Sequence, residues 1–183
     1  MMPDDLAEKI AGRSRRKTSA REKYLVLISG AVTFGLLIPL ILILIGHLLD
    51  HLLSLPRFAW SVILIGFLFI PLGLLFIAWS VYIQYRVGRG TPLPIAPTQK
   101  LVINGPYKYC RNPMIFGALL YYTGLAIIFN SFSMLFILIP LLFIPILIYV
   151  KLIEEKELEI RFGEEYTEYR KRTSFLIPFR IKD

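Results

Sequence analysis

Two charged residues in the sequence stand out for chemistry because each lies beside a long apolar run. The first is Arg111, which directly precedes Asn112-Pro113, an asparagine cap followed by a proline typical of the first helical turn. Free backbone N–H groups at a helix start bind anions, and an arginine beside them suits a carboxylate or a phosphate. An arginine whose charged end reaches lipid headgroups explains the same position equally well.

The second residue is Glu154, the first acidic residue after the apolar run that ends at Val150. A half-buried carboxylate at the edge of such a run needs a partner, either a protein cation or a cationic ligand. The acidic residues that follow are expected to lie on a solvated, salt-bridged helix surface. They are Glu157, Glu159, Glu164 and Glu165.

Other residues with chemical potential give weaker signals. His47 and His51 have the i, i+4 spacing that can bind a metal, but no further ligand lies nearby, so an interfacial pair is favoured and no metal is predicted. Cys110 is the single cysteine, which excludes an intrachain disulfide. Its position in a loop is more typical of a cysteine without a catalytic role than of a nucleophile.

The elements that must position these residues are apolar. Three runs without Asp, Glu, Lys or Arg cover Tyr24–Leu49, Phe58–Tyr85 and Asn112–Val150. A run of about 18 or more apolar residues predicts a membrane helix. The third run would extend about 58 Å as one helix at 1.5 Å per residue, nearly twice a hydrocarbon core of about 30 Å. We therefore predict that it folds back at the turn-forming pair Asn130-Ser131.

These runs predict an all-α, polytopic membrane protein with four transmembrane helices. A basic cytoplasmic segment, 1–23, precedes one membrane domain, 24–183. Within that domain we predict helices over about 24–49, 58–85, 113–129 and 132–150, a re-entrant-like inner loop over 86–112, and a C-terminal amphipathic helix over 151–172.

The distribution of basic residues supports four crossings. Lysine and arginine favour the cytoplasmic side of a membrane protein. Four crossings place 20 of the 21 lysines and arginines on one side, with only Arg57 on the other, whereas three crossings would put the basic tail outside. Both termini are therefore predicted to be cytoplasmic. The net charge of +8 fits attraction to anionic headgroups, and no nucleic-acid partner is predicted because no aromatic interleaving accompanies the basic cluster.

The inner loop is where an active site is expected. Its first half is rich in glycine and proline, which exclude regular helix or strand, and structureless loops of roughly 20 residues are usually functional. A turn at Gly105-Pro106 follows. The outer side offers only one short loop and a two-residue tip. An active site should therefore face the cytoplasm.

Several short motifs in the second half of the chain resemble, in order and spacing, the isoprenylcysteine carboxyl methyltransferases and the related phospholipid methyltransferases. The resemblance covers roughly residues 99–172. The matching motifs are Leu101-Val102, Gly105-Pro-Tyr107, Arg111-Asn-Pro113, Glu154-Glu155 and Phe162-Gly163-x-x-Tyr166-x-x-Tyr169.

The resemblance implies that S-adenosylmethionine binds between the inner loop and the tail, and that a methyl group passes to a lipid-like or prenylated acceptor. It implies catalytic roles for Arg111 and Glu154, and Lys151 is the expected substrate-binding residue. The cofactor-binding residues that we expect on this basis are Gln99, Lys100, Leu101, Val102, Gly105, Tyr107, Asn112, Pro113, Met114, Ile115, Glu154 and Glu155.

This sequence departs from the family pattern at four positions. Gln99 and Asn112 replace histidines, and Ile115 replaces a tyrosine. Val150, beside Lys151, stands where the prenylcysteine enzymes have an arginine that is expected to hold the substrate carboxylate.

These departures leave several functions open. The acceptor is a prenylcysteine carboxylate, a phospholipid amine, or another isoprenoid or lipid. A non-catalytic lipid-binding protein that keeps the fold is the alternative to an enzyme. A small transporter is disfavoured because the four crossings lack ionisable residues at mid-membrane.

Overall fold

The computed structural model describes residues 3–13, 19–91 and 98–179. Over these ranges the chain is helical and contains no strand, apart from an isolated bridge between Cys110 and Ser174. The predicted all-α class is therefore confirmed for this part of the chain. The helices are α1 (Pro3–Arg13), α2 (Ala20–Leu52), α3 (Trp60–Arg86), α4 (Pro113–Ile128), α5 (Met134–Phe162) and α6 (Glu164–Arg172).

Three of these helices, α2, α3 and α5, are long and apolar enough to cross a membrane, while α4 is apolar but has only 16 residues. Large apolar side chains cover the outer surface of the long helices; Leu36, Leu64 and Leu141 are each about two-thirds exposed. A soluble protein rarely exposes so much apolar area in one continuous surface. The chain is therefore a membrane protein.

The core of the fold is the antiparallel pair α3 and α4, which approach each other at glycines. A Cβ atom added to Gly73 would lie 2.5 Å from the carbonyl oxygen of Gly117, and one added to Gly124 would lie 3.0 Å from the carbonyl oxygen of Gly66. Small residues let membrane helices pack backbone against backbone. This packing brings the end of α3 beside the start of α4, so the loop between them is held at that end.

A turn of π-helix, Thr33–Leu37, interrupts α2 and is tied to α4. The hydroxyl of Tyr121 donates to the carbonyl oxygen of Gly35 (2.8 Å), and the hydroxyl of Tyr122 donates to that of Phe34 (2.7 Å). A π-turn disturbs the regular hydrogen-bond ladder, so its carbonyl groups are open to outside donors. The two tyrosines thus fasten α2 to the core pair.

The chain reverses direction between α4 and α5 at Phe129–Asn130, where Asn130 has a φ of +55°. This reversal lies at the turn predicted from Asn130-Ser131. Hydrogen bonds to other parts of the chain hold this turn. The Asn130 side chain accepts from the backbone N–H of Phe58 (2.7 Å), and Asp50 accepts from the N–H (2.7 Å) and the hydroxyl (2.6 Å) of Ser133.

In the two segments that were predicted to be cytoplasmic, the structure adds one helix and changes the bounds of another. The basic N-terminal segment contains a helix, α1, that packs against the charged end of α5 through the buried Ala7 and Ala11. The predicted C-terminal helix over 151–172 is not a separate helix: α5 runs through Val150 to Phe162. The chain then breaks at Gly163, whose φ of +57° favours glycine, before α6 begins.

Candidate active site

A cavity of about 170 Å³ lies between the inner loop, the charged end of α5, and α6, and the end of α3 also lines it. Seven of the residues predicted from the sequence line it, including both predicted catalytic residues. The inner loop and the tail therefore meet at one end of the helix bundle. The seven residues are Leu101, Val102, Tyr107, Arg111, Asn112, Glu154 and Glu155.

The other predicted cofactor residues do not line this cavity, and several have structural roles. Gly105 has a φ of +61° and packs against Ile83 and Trp79. Ile115 packs against the apolar core that contains Tyr122. The remaining four also lie outside the cavity lining: Gln99, Lys100, Pro113 and Met114.

Lys151, the predicted substrate-binding residue, lies beside the cavity but does not line it. Its ammonium group forms an ion pair with Glu155 at 2.9 Å and lies over the ring of Phe175, and about half of its side chain is exposed. Lys151 therefore helps to neutralise Glu155 and packs against the chain that follows α6.

Arg111 joins the inner loop to the tail. Its Nε donates to Glu155 at 2.7 Å, and its Nη1 donates to the carbonyl oxygens of Arg170 (3.0 Å) and Thr173. Its backbone N–H donates to the carbonyl oxygen of Ser174 at 2.8 Å. Only 9% of the Arg111 side chain is exposed. The guanidinium is thus engaged within the chain, and it holds two walls of the cavity together.

Two further hydrogen bonds connect the same parts of the chain. The side-chain amide of Asn112 donates to the carbonyl oxygen of Phe175 at 2.9 Å, and the hydroxyl of Tyr169 donates to the carbonyl oxygen of Tyr107 at 2.7 Å. Because these bonds cross between segments about 60 residues apart in sequence, the loop and the tail form one structure.

Glu154 is the exception among the acidic residues of the cavity. It forms no hydrogen bond or ion pair with the residues that the structure describes, whereas Glu155 pairs with both Arg111 and Lys151. It lies beyond Val150, where the apolar part of α5 ends. Burial raises the pKa of Glu154 to about 7, and the charge of Glu157 contributes in the same direction. The cavity therefore contains a carboxylate without a cation, which suits a cationic ligand.

Sequence reasoning was wrong about Glu157, which was expected on a solvated surface. It is 6% exposed and lines the cavity. Its partner Arg161 lies at 2.8 Å and also donates to the carbonyl oxygen of Thr98, near the middle of the inner loop. An i, i+4 ion pair looks the same in sequence whether it is buried or exposed, so the sequence held no signal for this burial.

Gln84 was also missed, although the sequence did contain a signal. It is the only carboxamide in the run Phe58–Tyr85, and it lines the cavity from α3. Its Nε2 donates to the hydroxyl of Tyr107 at 2.5 Å, while its Oε1 is buried without a hydrogen-bond partner among the described residues.

Unsatisfied buried polar atoms concentrate around this cavity. Three buried side-chain atoms lack a partner within the described ranges, and two of them, Gln84 Oε1 and Tyr166 Oη, belong to residues that line it. The third is Asp50 Oδ2, near the end of α2 at the opposite end of the bundle. Native structures contain few such atoms, and a ligand is one way to satisfy them.

Comparison with known proteins identifies the family of this chain. The family model of the phospholipid methyltransferases matches residues 61–165, which run from α3 through the inner loop and α4 to the start of α6. The chain belongs to this family of membrane methyltransferases.

A more specific likeness is to methanethiol S-methyltransferase of Crocosphaera subtropica (strain ATCC 51142 / BH68), with 28% identity over 142 residues. The match covers 74% of this chain and 49% of the relative, so the chain spans about half the length of that protein. The family description and the relative's name agree on methyl transfer and differ in the acceptor.

Proposed function

We propose that this protein transfers a methyl group from S-adenosylmethionine to a lipid-like acceptor at the cytoplasmic surface of a membrane. Family membership supports methyl transfer by a membrane protein. The observation that carries the choice of methyl donor is Glu154, a carboxylate on the cavity wall that pairs with no cation among the described residues. S-adenosylmethionine carries a sulfonium and an ammonium, and either charge would compensate this carboxylate.

The proposed topology has four crossings, with α4 as the third and both termini in the cytoplasm. At 1.5 Å per residue the 16 residues of α4 extend about 24 Å, a short crossing that modest bilayer thinning accommodates. The strong asymmetry of lysine and arginine supports this orientation. It places the cavity at the cytoplasmic membrane edge, within reach of both a soluble cofactor and a lipid.

The residues present fit this cofactor. Glu154 would compensate its positive charge, and Asn112, which lines the cavity and uses one of its two amide hydrogens on Phe175, would hold its carboxylate with the other. Leu101, Val102 and Tyr107 supply an apolar and aromatic wall for the remainder. Arg111 is better described as a positioning residue than as a direct ligand, because its Nε and Nη1 are engaged within the chain.

S-adenosylmethionine supplies an electrophilic methyl group, so the protein needs to contribute mainly orientation. The ion pairs Arg111–Glu155 and Arg161–Glu157 hold the cavity walls, and a reaction of this kind gains most from such fixed positions. An amine acceptor must also lose a proton, and Glu154 is the candidate base because it forms no ion pair with the described residues of the cavity.

Binding and turnover test this proposal separately. Calorimetry of the purified protein in detergent should detect S-adenosylmethionine binding in the micromolar range, typical of enzyme affinities. Incubation with lipid extract and methyl-labelled S-adenosylmethionine should yield labelled lipid. Glu154→Gln should abolish the labelling, whereas Glu165→Gln, at an exposed position of α6, should not. Absence of both binding and labelled lipid with the unaltered protein would refute the proposal.

A further inference from the structure

Gln84 has a polar atom that the fold leaves unused. The residue lies two positions before the end of α3, with its Nε2 on the hydroxyl of Tyr107 and its Oε1 buried without a partner among the described residues. The Tyr107 hydroxyl also interacts with the side chain of Ser80, one turn earlier on α3. Tyr107 therefore orients the amide, and the oxygen is the atom that remains for a ligand with a hydrogen-bond donor.

The position of Gln84 indicates which ligand would meet this oxygen. Gln84, Tyr149 and Val150 lie on the apolar parts of α3 and α5, so they form the membrane side of the cavity. Glu154 lies one helical turn beyond Val150, on the charged side formed by the end of α5 and by the inner loop with Thr98. On the proposed function, the polar cofactor would occupy the charged side, and the atom that reaches Gln84 belongs to the acceptor entering from the bilayer.

The charges of the cavity restrict the acceptor further. The two arginines that line it are both engaged: Arg111 with Glu155, and Arg161 with Glu157. On the proposed function, a cation of the cofactor compensates Glu154 and is not left for the acceptor. An acceptor carboxylate would therefore meet no unengaged arginine or lysine of the described cavity lining, and it would lose its hydration without compensation.

We propose that Gln84 determines acceptor specificity: its Oε1 accepts a hydrogen bond from a heteroatom-bound hydrogen of the acceptor, and the site rejects carboxylates. This inference rests on the proposed function and adds the chemical class of the acceptor. The class is an amine or a thiol on an apolar tail. An amine is the stronger donor of the two and should depend more on Gln84.

Three acceptors with the same tail test this selection: dodecylamine, dodecanethiol and dodecanoate, each in detergent with methyl-labelled S-adenosylmethionine. The unaltered protein should methylate the amine or the thiol and leave the carboxylate unlabelled. Gln84→Met preserves the size of the side chain without its polar atoms, and Gln84→Glu keeps an oxygen acceptor. Tyr82→Phe removes a polar atom from the exposed face of the same helix and is the matched control.

Gln84→Met should lower kcat/KM for the preferred acceptor about 10- to 100-fold, the cost of losing one buried hydrogen bond to the substrate. Binding of S-adenosylmethionine should change less than about twofold, Gln84→Glu should recover part of the lost activity, and Tyr82→Phe should match the unaltered protein.

Other outcomes overturn the inference and leave the proposed function standing. These are methylation of dodecanoate, normal kcat/KM in Gln84→Met, weakened cofactor binding in Gln84→Met, or an equal loss in Gln84→Glu. Absence of S-adenosylmethionine binding to the unaltered protein would instead refute the proposed function itself.

Discussion

Replacing Glu154 by glutamine should make the ligand-free protein more stable, contrary to the usual effect of removing a buried charge. The structure raises the pKa of this carboxyl from 4.5 to about 7, mainly by burial. A carboxyl group whose pKa is higher in the folded state binds its proton more tightly there than in the unfolded state. Its ionisation therefore opposes folding as pH rises. The difference of about 2.5 pK units corresponds to about 3 kcal/mol.

The size of the gain should follow pH. Near pH 4.5 the folded unaltered protein and the folded variant both carry a neutral group at position 154. Glu154→Gln should therefore change the free energy of unfolding little at this pH. The gain should grow between pH 4.5 and 7 and reach about 3 kcal/mol above pH 7. Thermal unfolding in detergent at pH 5 and pH 8 measures it, with Glu165→Gln as a control at an exposed position.

The same substitution should have the opposite effect on cofactor binding. A cation that restores the ordinary pKa of Glu154 gains up to about 300-fold in affinity, and glutamine loses this gain. Binding of S-adenosylmethionine to the unaltered protein should strengthen from pH 5 to 7 and level off above. A Glu154→Gln protein that is less stable at pH 8, or a stability gain that is independent of pH, would refute the assignment of an uncompensated carboxylate.

Three further substitutions test the fold around the site. Arg111→Ala should abolish methyl transfer and lower stability by roughly 3–5 kcal/mol in thermal unfolding, because it removes a partner of the buried Glu155. Gly117→Val should prevent accumulation of folded protein, judged by size-exclusion chromatography, because its Cβ would lie 2.7 Å from a backbone oxygen of α3. Tyr122→Phe should cost about 1 kcal/mol in thermal unfolding through loss of the hydrogen bond to Phe34, with methyl transfer retained.

Controls for these substitutions come from the same chain. Gly35→Val places a side chain where a Cβ meets nothing within 4 Å, so it should leave folding close to normal, unlike Gly117→Val. Lys171→Ala removes a cation from an exposed pair with Glu168 and should have little effect on activity. Normal turnover by Arg111→Ala, or equal folding of the two valine variants, would contradict the roles assigned here.

The long helices could be predicted because a bilayer imposes a length and a composition that soluble folds do not. Glu154 was also visible in the sequence, since a carboxylate directly after an apolar run is unusual. Gln84 is a second such exception, a carboxamide inside an apolar run, and the same reasoning could have found it. These two residues stand out because a polar group in or beside an apolar run costs free energy whatever the rest of the fold is.

Other features depend on contacts between distant segments and left no local pattern. The burial of Glu157 requires the inner loop to fold over α5, where Arg161 meets Thr98. Ile115 belongs to a family motif, yet it packs against the apolar core with Tyr122. The contact of α1 with α5 depends on small buried alanines, which carry no hydrophobic signal as strong as a leucine stripe.

We propose that S-adenosylmethionine occupies the cavity between the inner loop and the tail, and a structure determined with S-adenosylmethionine bound would show whether it does. We expect a positive centre of the cofactor within about 4 Å of the Glu154 carboxylate, and the cofactor's carboxylate near Asn112 at the start of α4. Cofactor bound elsewhere, or bound in this cavity with its cationic groups turned away from Glu154, would contradict it.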